Sequence, residues 1–74
     1  MSDTIKKNIC VVGAGYWGKN HIKTLNRLNA LKGIVELDID TLNIFTKKYS
    51  DVNGHSKIED ALNEDYDGFI VATP

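Results

Sequence analysis

The sequence predicts an α/β domain built on a parallel, doubly wound sheet with strand order 3-2-1-4. Three observations carry that prediction. Short apolar or β-branched runs alternate with segments of helical period along all 74 residues. No two apolar runs are joined by a tight hairpin turn, so the connections are right-handed crossovers and the strands they link are parallel. Gly13, Gly15 and Gly18 stand between the first apolar run and the first helical run, as in a glycine-rich strand-to-helix turn.

Residues 7–12 read as the first strand, with an unbroken apolar run at Ile9-Cys10-Val11-Val12. Residues 16–28 repeat apolar positions at Ile22, Leu25 and Leu28, one face of a helix, and residues 31–36 form the second strand. A second helix over residues 41–49 follows from Leu42, Phe45 and Tyr49, with Asp40 placed to cap it. Residues 52–55 give a short third strand. Ser56-Lys57-Ile58-Glu59 then has the S-x-x-E spacing of a capping box for a helix through Asn63. The last strand covers residues 68–73. Its run Phe69-Ile70-Val71-Ala72 is apolar at every position, the pattern of a strand covered on both faces and paired on both edges. An interior strand of that kind needs a following helix and a later strand, so residues 1–74 are expected to be the N-terminal part of a longer polypeptide.

Composition narrows the function classes. With 42% hydrophobic and 26% charged residues, the chain has the make-up of an ordinary globular protein rather than a disordered one. Nine basic and ten acidic residues give a formal charge of −1 with no long run of either sign, which disfavours nucleic acid and anionic membrane as partners. A small-molecule partner is expected instead. The single cysteine, Cys10, lies inside the first strand, where it reads as a small buried hydrophobe and can form no internal disulfide. The longest apolar runs are four residues, too short for a signal peptide or a membrane span, so a cytoplasmic location is expected.

Each glycine of the turn has a different task. Gly13 lets the chain leave the strand sharply, Gly15 removes a Cβ so that backbone can approach a pyrophosphate, and Gly18 allows helix and strand to pack closely. The helix opening near Gly15 has no Ser, Thr, Asp or Asn at its start, so its free N–H groups and positive dipole end are left for an anion. Glu36 follows Gly18 by 36 − 18 = 18 residues, close to the roughly 20-residue interval of an acid that accepts bonds from the adenosine ribose hydroxyls. Asp38 is a second candidate. A carboxylate there repels a 2′-phosphate and no Arg follows to receive one, which favours NAD over NADP. The fold expected is therefore of Rossmann type.

Rival motifs fail at named positions. Gly13 to Lys19 fits the G-x-x-x-x-G-K of a phosphate-wrapping NTPase loop, yet Asn20 stands where Ser or Thr must bind magnesium, and Tyr16 and Trp17 would crowd the loop. A methyltransferase loop wants an acid at Val11 and a glycine at Trp17. His21 sits beside Ile22 and Leu25, where packing or a backbone hydrogen bond is expected rather than acid–base chemistry. Tyr16 and Trp17 have packing as their alternative reading; Lys19 and Lys23 read as solvated helix residues, with Lys19 also within reach of a phosphate.

Val11-Val12-Gly13-Ala14-Gly15-Tyr16-Trp17-Gly18-Lys19-Asn20-His21, Gly33-Ile34-Val35-Glu36-Leu37-Asp38 and the closing Val71-Ala72-Thr73-Pro74 together resemble the N-terminal domain of the Gfo/Idh/MocA oxidoreductases, the glucose-fructose oxidoreductase and inositol dehydrogenase family. The resemblance spans the whole chain. Gly-Tyr-Trp-Gly-Lys-Asn-His is similar to members that oxidise nucleotide-linked sugars. What the resemblance implies is an NAD-dependent sugar dehydrogenase, homo-oligomeric at full length, that moves hydride between a sugar carbon and nicotinamide C4. It places Gly13, Gly15, Tyr16 and Trp17, with Gly18 behind them, along the pyrophosphate and nicotinamide side. Glu36, with Asp38 nearby, falls at the adenosine ribose, and Ala72, Thr73 and Pro74 at the crevice beyond the fourth strand. Family members often carry Asp where Glu36 stands; the longer side chain still reaches both hydroxyls if the turn recedes slightly. The family's proton-transferring Lys and its substrate domain would lie beyond Pro74, so these residues are expected to bind rather than catalyse, with no catalytic residue and no metal site among them. A noncatalytic NAD-sensing or scaffold module with the same cradle is the alternative.

Overall fold

The alternation of apolar runs with helical period becomes, in the computed structural model, which describes residues 7–72, the order β1 (Ile9–Val12), α1 (Tyr16–Arg27), β2 (Leu31–Val35), α2 (Ile39–Lys48), β3 (Asn53–His55), α3 (Ile58–Leu62) and β4 (Gly68–Val71). The strands form one parallel sheet in the order β3-β2-β1-β4, the order predicted. Val12 lies between Val35 on β2 and Val71 on β4, so all three strands end together at the edge where the glycine turn begins.

A register shift shapes the sheet. Ile9 is opposite Leu31 but Cys10 is opposite Gly33, so Lys32 is the extra residue of a bulge. Without it Leu31 and Ile34, three positions apart, would point to opposite faces. With it both join Val11, Ala14, Ile22, Leu42 and Val52 in the larger core, beneath α1 and α2. The opposite face is thinner: Cys10, Val35 and Ala61, with Val12 and Tyr66 against them. The five residues of α3 pack chiefly on β2 and β3. Ile70 packs inward against the α1 side, while Val71 is 68% exposed and Phe69 is also open to solvent. The two-sided cover expected for this strand is not present among the described residues.

Several boundaries differ from the sequence reading. Residues 7 and 8 precede β1; Asn8 N–H donates to the Asp67 carboxylate at 2.7 Å, and its carbonyl accepts the Asp67 N–H. Leu28 is the C-cap of α1 rather than its last helical residue, followed by Asn29 in the left-handed region at φ 60°. α2 begins at Ile39 with Asp38 as N-cap, so Asp40 lies inside the first turn and does not cap it, and Tyr49 is the C-cap. Glu36 and Val52 flank β2 and β3 without belonging to them. The capping box at Ser56 does not form. Lys57, extended at φ −135° and ψ 143°, is the N-cap of α3, one residue too late for Ser56 and Glu59 to exchange bonds, and the helix ends at Leu62 with Asn63 as C-cap. β4 stops at Val71, although Ala72 N–H still donates to the Val12 carbonyl at 2.9 Å; residue 73 lies outside the described residues.

Cys10 is fully buried, as expected of a small hydrophobe, and burial pushes its thiol from an ordinary 9.0 up to about 11. The folded state therefore favours the neutral thiol. That contribution, about 2–3 kcal/mol, is fully present below pH 9 and is lost as pH rises toward 11. Thermal melts should fall more steeply over that window in the native chain than in a Cys10→Ala variant. Iodoacetamide at pH 8 should label Cys10 only as fast as the chain unfolds.

Candidate functional site

The three glycines converge where β1 gives way to α1. Gly13 adopts φ 97°, a conformation open to glycine and costly for other residues, and its N–H donates to the Val35 carbonyl at 2.7 Å, which pins the turn to β2. A Cβ on Gly18 would lie 1.8 Å from the Gly13 carbonyl oxygen, so the helix rests directly on the turn. Gly15 is different. Its φ of −78° and ψ of −156° suit any residue, and a Cβ there would meet nothing within 4 Å. The chain does not need glycine at that position for its own packing; the open space lies in front of a helix end.

That helix end has no internal cap. Gly15 is the N-cap of the 12-residue α1, no side chain bonds to it, and the first turn carries no acid. No side-chain cap closes this helix end, as the sequence reading expected, and the positive end of the helix dipole lies at the glycine turn. Trp17, 67% exposed, stands on the first turn; Tyr16 opens the helix. Ala72 lies close by, 3.6 Å from where a Gly18 Cβ would sit. Thr73 and Pro74, the other residues expected along this crevice, lie outside the described residues.

Glu36 faces the turn from the end of β2. One carboxylate oxygen accepts the Ala14 N–H at 2.8 Å and the other the Asp38 N–H at 2.9 Å. Each oxygen keeps a second lone pair for a hydroxyl donor. Asp38 serves α2 instead: its carboxylate accepts the Thr41 hydroxyl at 2.5 Å, and its side chain is exposed. The sequence nominated both acids; the structure brings only Glu36 to the glycine turn.

Beside Glu36 a cavity of about 220 Å³ is lined by Val12, Gly13, Val35, Glu36, Leu37 and Ile58. Its wall is apolar with a carboxylate at the rim, suited to a flat heterocycle carrying a polyhydroxyl group. Leu37 and Ile58 were missed in the sequence. The available signal was an apolar Leu37, now 80% exposed, set between two acids where a strand ends. His21 is exposed rather than packed beside Ile22, and Lys19 and Lys23 are also on the outer face of α1. Among the described residues no His, Cys, Asp and Glu side chains gather in a group able to hold a metal ion.

No family model and no curated protein matches this chain. Solved structures do. The WlbA dehydrogenase of Chromobacterium violaceum, in complex with NADH and UDP-GlcNAcA, matches 93% of the chain at 26% identity and a TM-score of 0.81. The WlbA dehydrogenase of Bordetella pertussis, with the same two ligands, matches 95% at 24% identity and 0.83. GenD2 from gentamicin A biosynthesis, in complex with NAD, matches 99% at 22% identity and 0.83. The chain folds as one part of these proteins does. It spans about a fifth of their length, 21% of the first and 22% of the other two. The shared architecture is the α/β Rossmann-type sheet. Among the described residues no helix is long and apolar enough to cross a membrane.

Proposed function

We propose that this chain is the NAD-binding, N-terminal part of an oxidoreductase of Gfo/Idh/MocA type that acts on a sugar or nucleotide-linked sugar. The observation that carries the reading is the pairing of an uncapped α1 N-terminus behind a bare Gly15 with the Glu36 carboxylate on the adjacent strand end. The NADH- and NAD-bound neighbours support the cofactor, and the two with UDP-GlcNAcA support the substrate class. The substrate domain and the proton-transferring residue belong, in this reading, to sequence after Pro74, and residues 1–74 form the cofactor half of a cytoplasmic homo-oligomer.

The residues here bind and orient. Backbone amides at the start of α1 hold the pyrophosphate, with Gly13 and Gly18 fixing the turn and Gly15 keeping its approach clear. Glu36 accepts the adenosine ribose hydroxyls through its remaining lone pairs, with Asp38 nearby at the start of α2. Leu37, Ile58, Val12 and Val35 cover the adenine and exclude water from one of its faces. By the family resemblance, Tyr16 and Trp17 are assigned to the pyrophosphate and nicotinamide side, and Ala72, Thr73 and Pro74 to the crevice beyond β4. The bound cofactor supplies a nicotinamide C4 that exchanges hydride with a sugar carbon.

Titration of the purified chain with NADH and with NADPH, followed by nicotinamide fluorescence, tests this. NADH should bind at least about tenfold more tightly, because a 2′-phosphate would meet the Glu36 carboxylate without a cation to receive it. Binding of neither, or preference for NADPH, would overturn the assignment.

A further inference from the structure

We infer that Tyr66 and His55 are positioning residues that hold the Glu36 carboxylate where it meets the cofactor ribose, an inference that rests on the NAD reading above. The need arises at β3. This edge strand has three residues with Gly54 at its centre, and among the described residues it pairs only with β2. So short a strand has little ladder of its own to fix its end. Yet its last residue carries part of the site: the His55 carbonyl accepts the Glu36 N–H at 3.0 Å, just where Glu36 turns toward Ala14.

The His55 ring is anchored from across the sheet. Its Nε2 lies 2.7 Å from the Tyr66 hydroxyl, with the two rings edge to face at 5.8 Å. Tyr66 comes from the segment before β4 and passes over β2 to reach β3. It can do so because Gly33 has no side chain; a Cβ there would lie 2.2 Å from the hydroxyl oxygen and 2.4 Å from Cζ. Phe69 backs the ring edge to face at 5.6 Å. Burial, then the nearby Cys10, pushes the Tyr66 hydroxyl up, while a hydrogen bond with Asn53 on β3 pulls it the other way. The connected path runs from Tyr66 to His55, from His55 to Glu36, and from Glu36 to the amides of Ala14 and Asp38. Nothing in the sequence spacing joins residues 66, 55 and 36; the berth over Gly33 does.

Tyr66→Phe keeps the ring over Gly33 and against Phe69 and removes only the hydroxyl. NADH affinity should fall about fivefold, the size of one net hydrogen bond, while NADPH affinity stays unchanged, so the preference shrinks by the same factor. In proton–nitrogen correlation spectra of the cofactor-free chain, the Ala14 amide should move upfield and exchange faster as Glu36 loosens. Gly33→Ala, which pushes Tyr66 off its berth, should reproduce both effects, and His55→Gln, which keeps a polar group near the hydroxyl, should largely preserve the wild-type values. Equal loss of NADH and NADPH affinity in Tyr66→Phe, or an unmoved Ala14 amide with an unchanged cofactor ratio, would overturn the inference. A wild-type chain that binds no NADH removes the functional reading and this role with it; the Ala14 amide then shows separately whether the link from Tyr66 to Glu36 exists.

Discussion

Gly18→Ala should abolish the cooperative thermal transition of the chain or lower its midpoint by about 12–40 °C, followed by far-ultraviolet circular dichroism. The new methyl would sit 1.8 Å from the Gly13 carbonyl oxygen and 2.7 Å from its carbonyl carbon. Both atoms are backbone, and Gly13 is held in turn by its hydrogen bond to Val35. No rotamer change relieves such a contact. Ordinary carbon–oxygen contacts lie at about 3.3 Å or more, so α1 would have to withdraw by about 1.5 Å. α1 carries Ile22, fully buried against the Val11 and Ala14 side of the sheet, and retreat would open that core. Overpacking typically costs about 1–3 kcal/mol; a rigid backbone collision under a central helix belongs at or above that range, about 3–5 kcal/mol. A chain of this length has roughly 4–11 kcal/mol in all. An unchanged midpoint would mean that helix and turn are not in contact as described.

The same close approach shows why much of the fold could be read from the chain. Strand identity and order followed from where apolar residues fall, because Val11, Ile34 and Ile70 must reach one core from three parallel strands. The glycine turn was legible because two of its glycines answer a local requirement, φ 97° at Gly13 and backbone contact at Gly18, while Gly15 answers none within the chain. Glu36 was legible from its interval alone. Capping was not. Asp38 and Lys57 took the N-cap positions assigned to Asp40 and Ser56, since a shift of one or two residues in a helix start leaves the apolar period intact. Nor was the wall formed by Leu37 and Ile58 visible, for it is assembled from the end of β2 and the start of α3. The bulge at Lys32 and the Tyr66 berth at Gly33 adjoin one another, and both depend on how strands stack in space rather than on any period along the chain.

Gly15→Val should leave the thermal midpoint within a few degrees of wild type and weaken NADH binding by about 10²–10⁴-fold, measured by nicotinamide fluorescence and a melt on the same preparation. The backbone at Gly15 is extended, so valine fits its conformation, and nothing within 4 Å opposes a Cβ. The chain therefore tolerates the change. A phosphate oxygen must come within about 2.7–3.2 Å of the amides at the helix start, and the branched side chain would occupy that approach. Hydrogen bonds to a charged group are worth about 1.5–3 kcal/mol each, and losing two gives the range stated. Gly18, three residues later in the same turn, behaves in the opposite way: alanine there removes the fold, and ligand binding goes with it. Only if the space before α1 belongs to a ligand should the two glycines separate in this manner. NADH bound by Gly15→Val as tightly as by wild type would show that no diphosphate rests against this helix end.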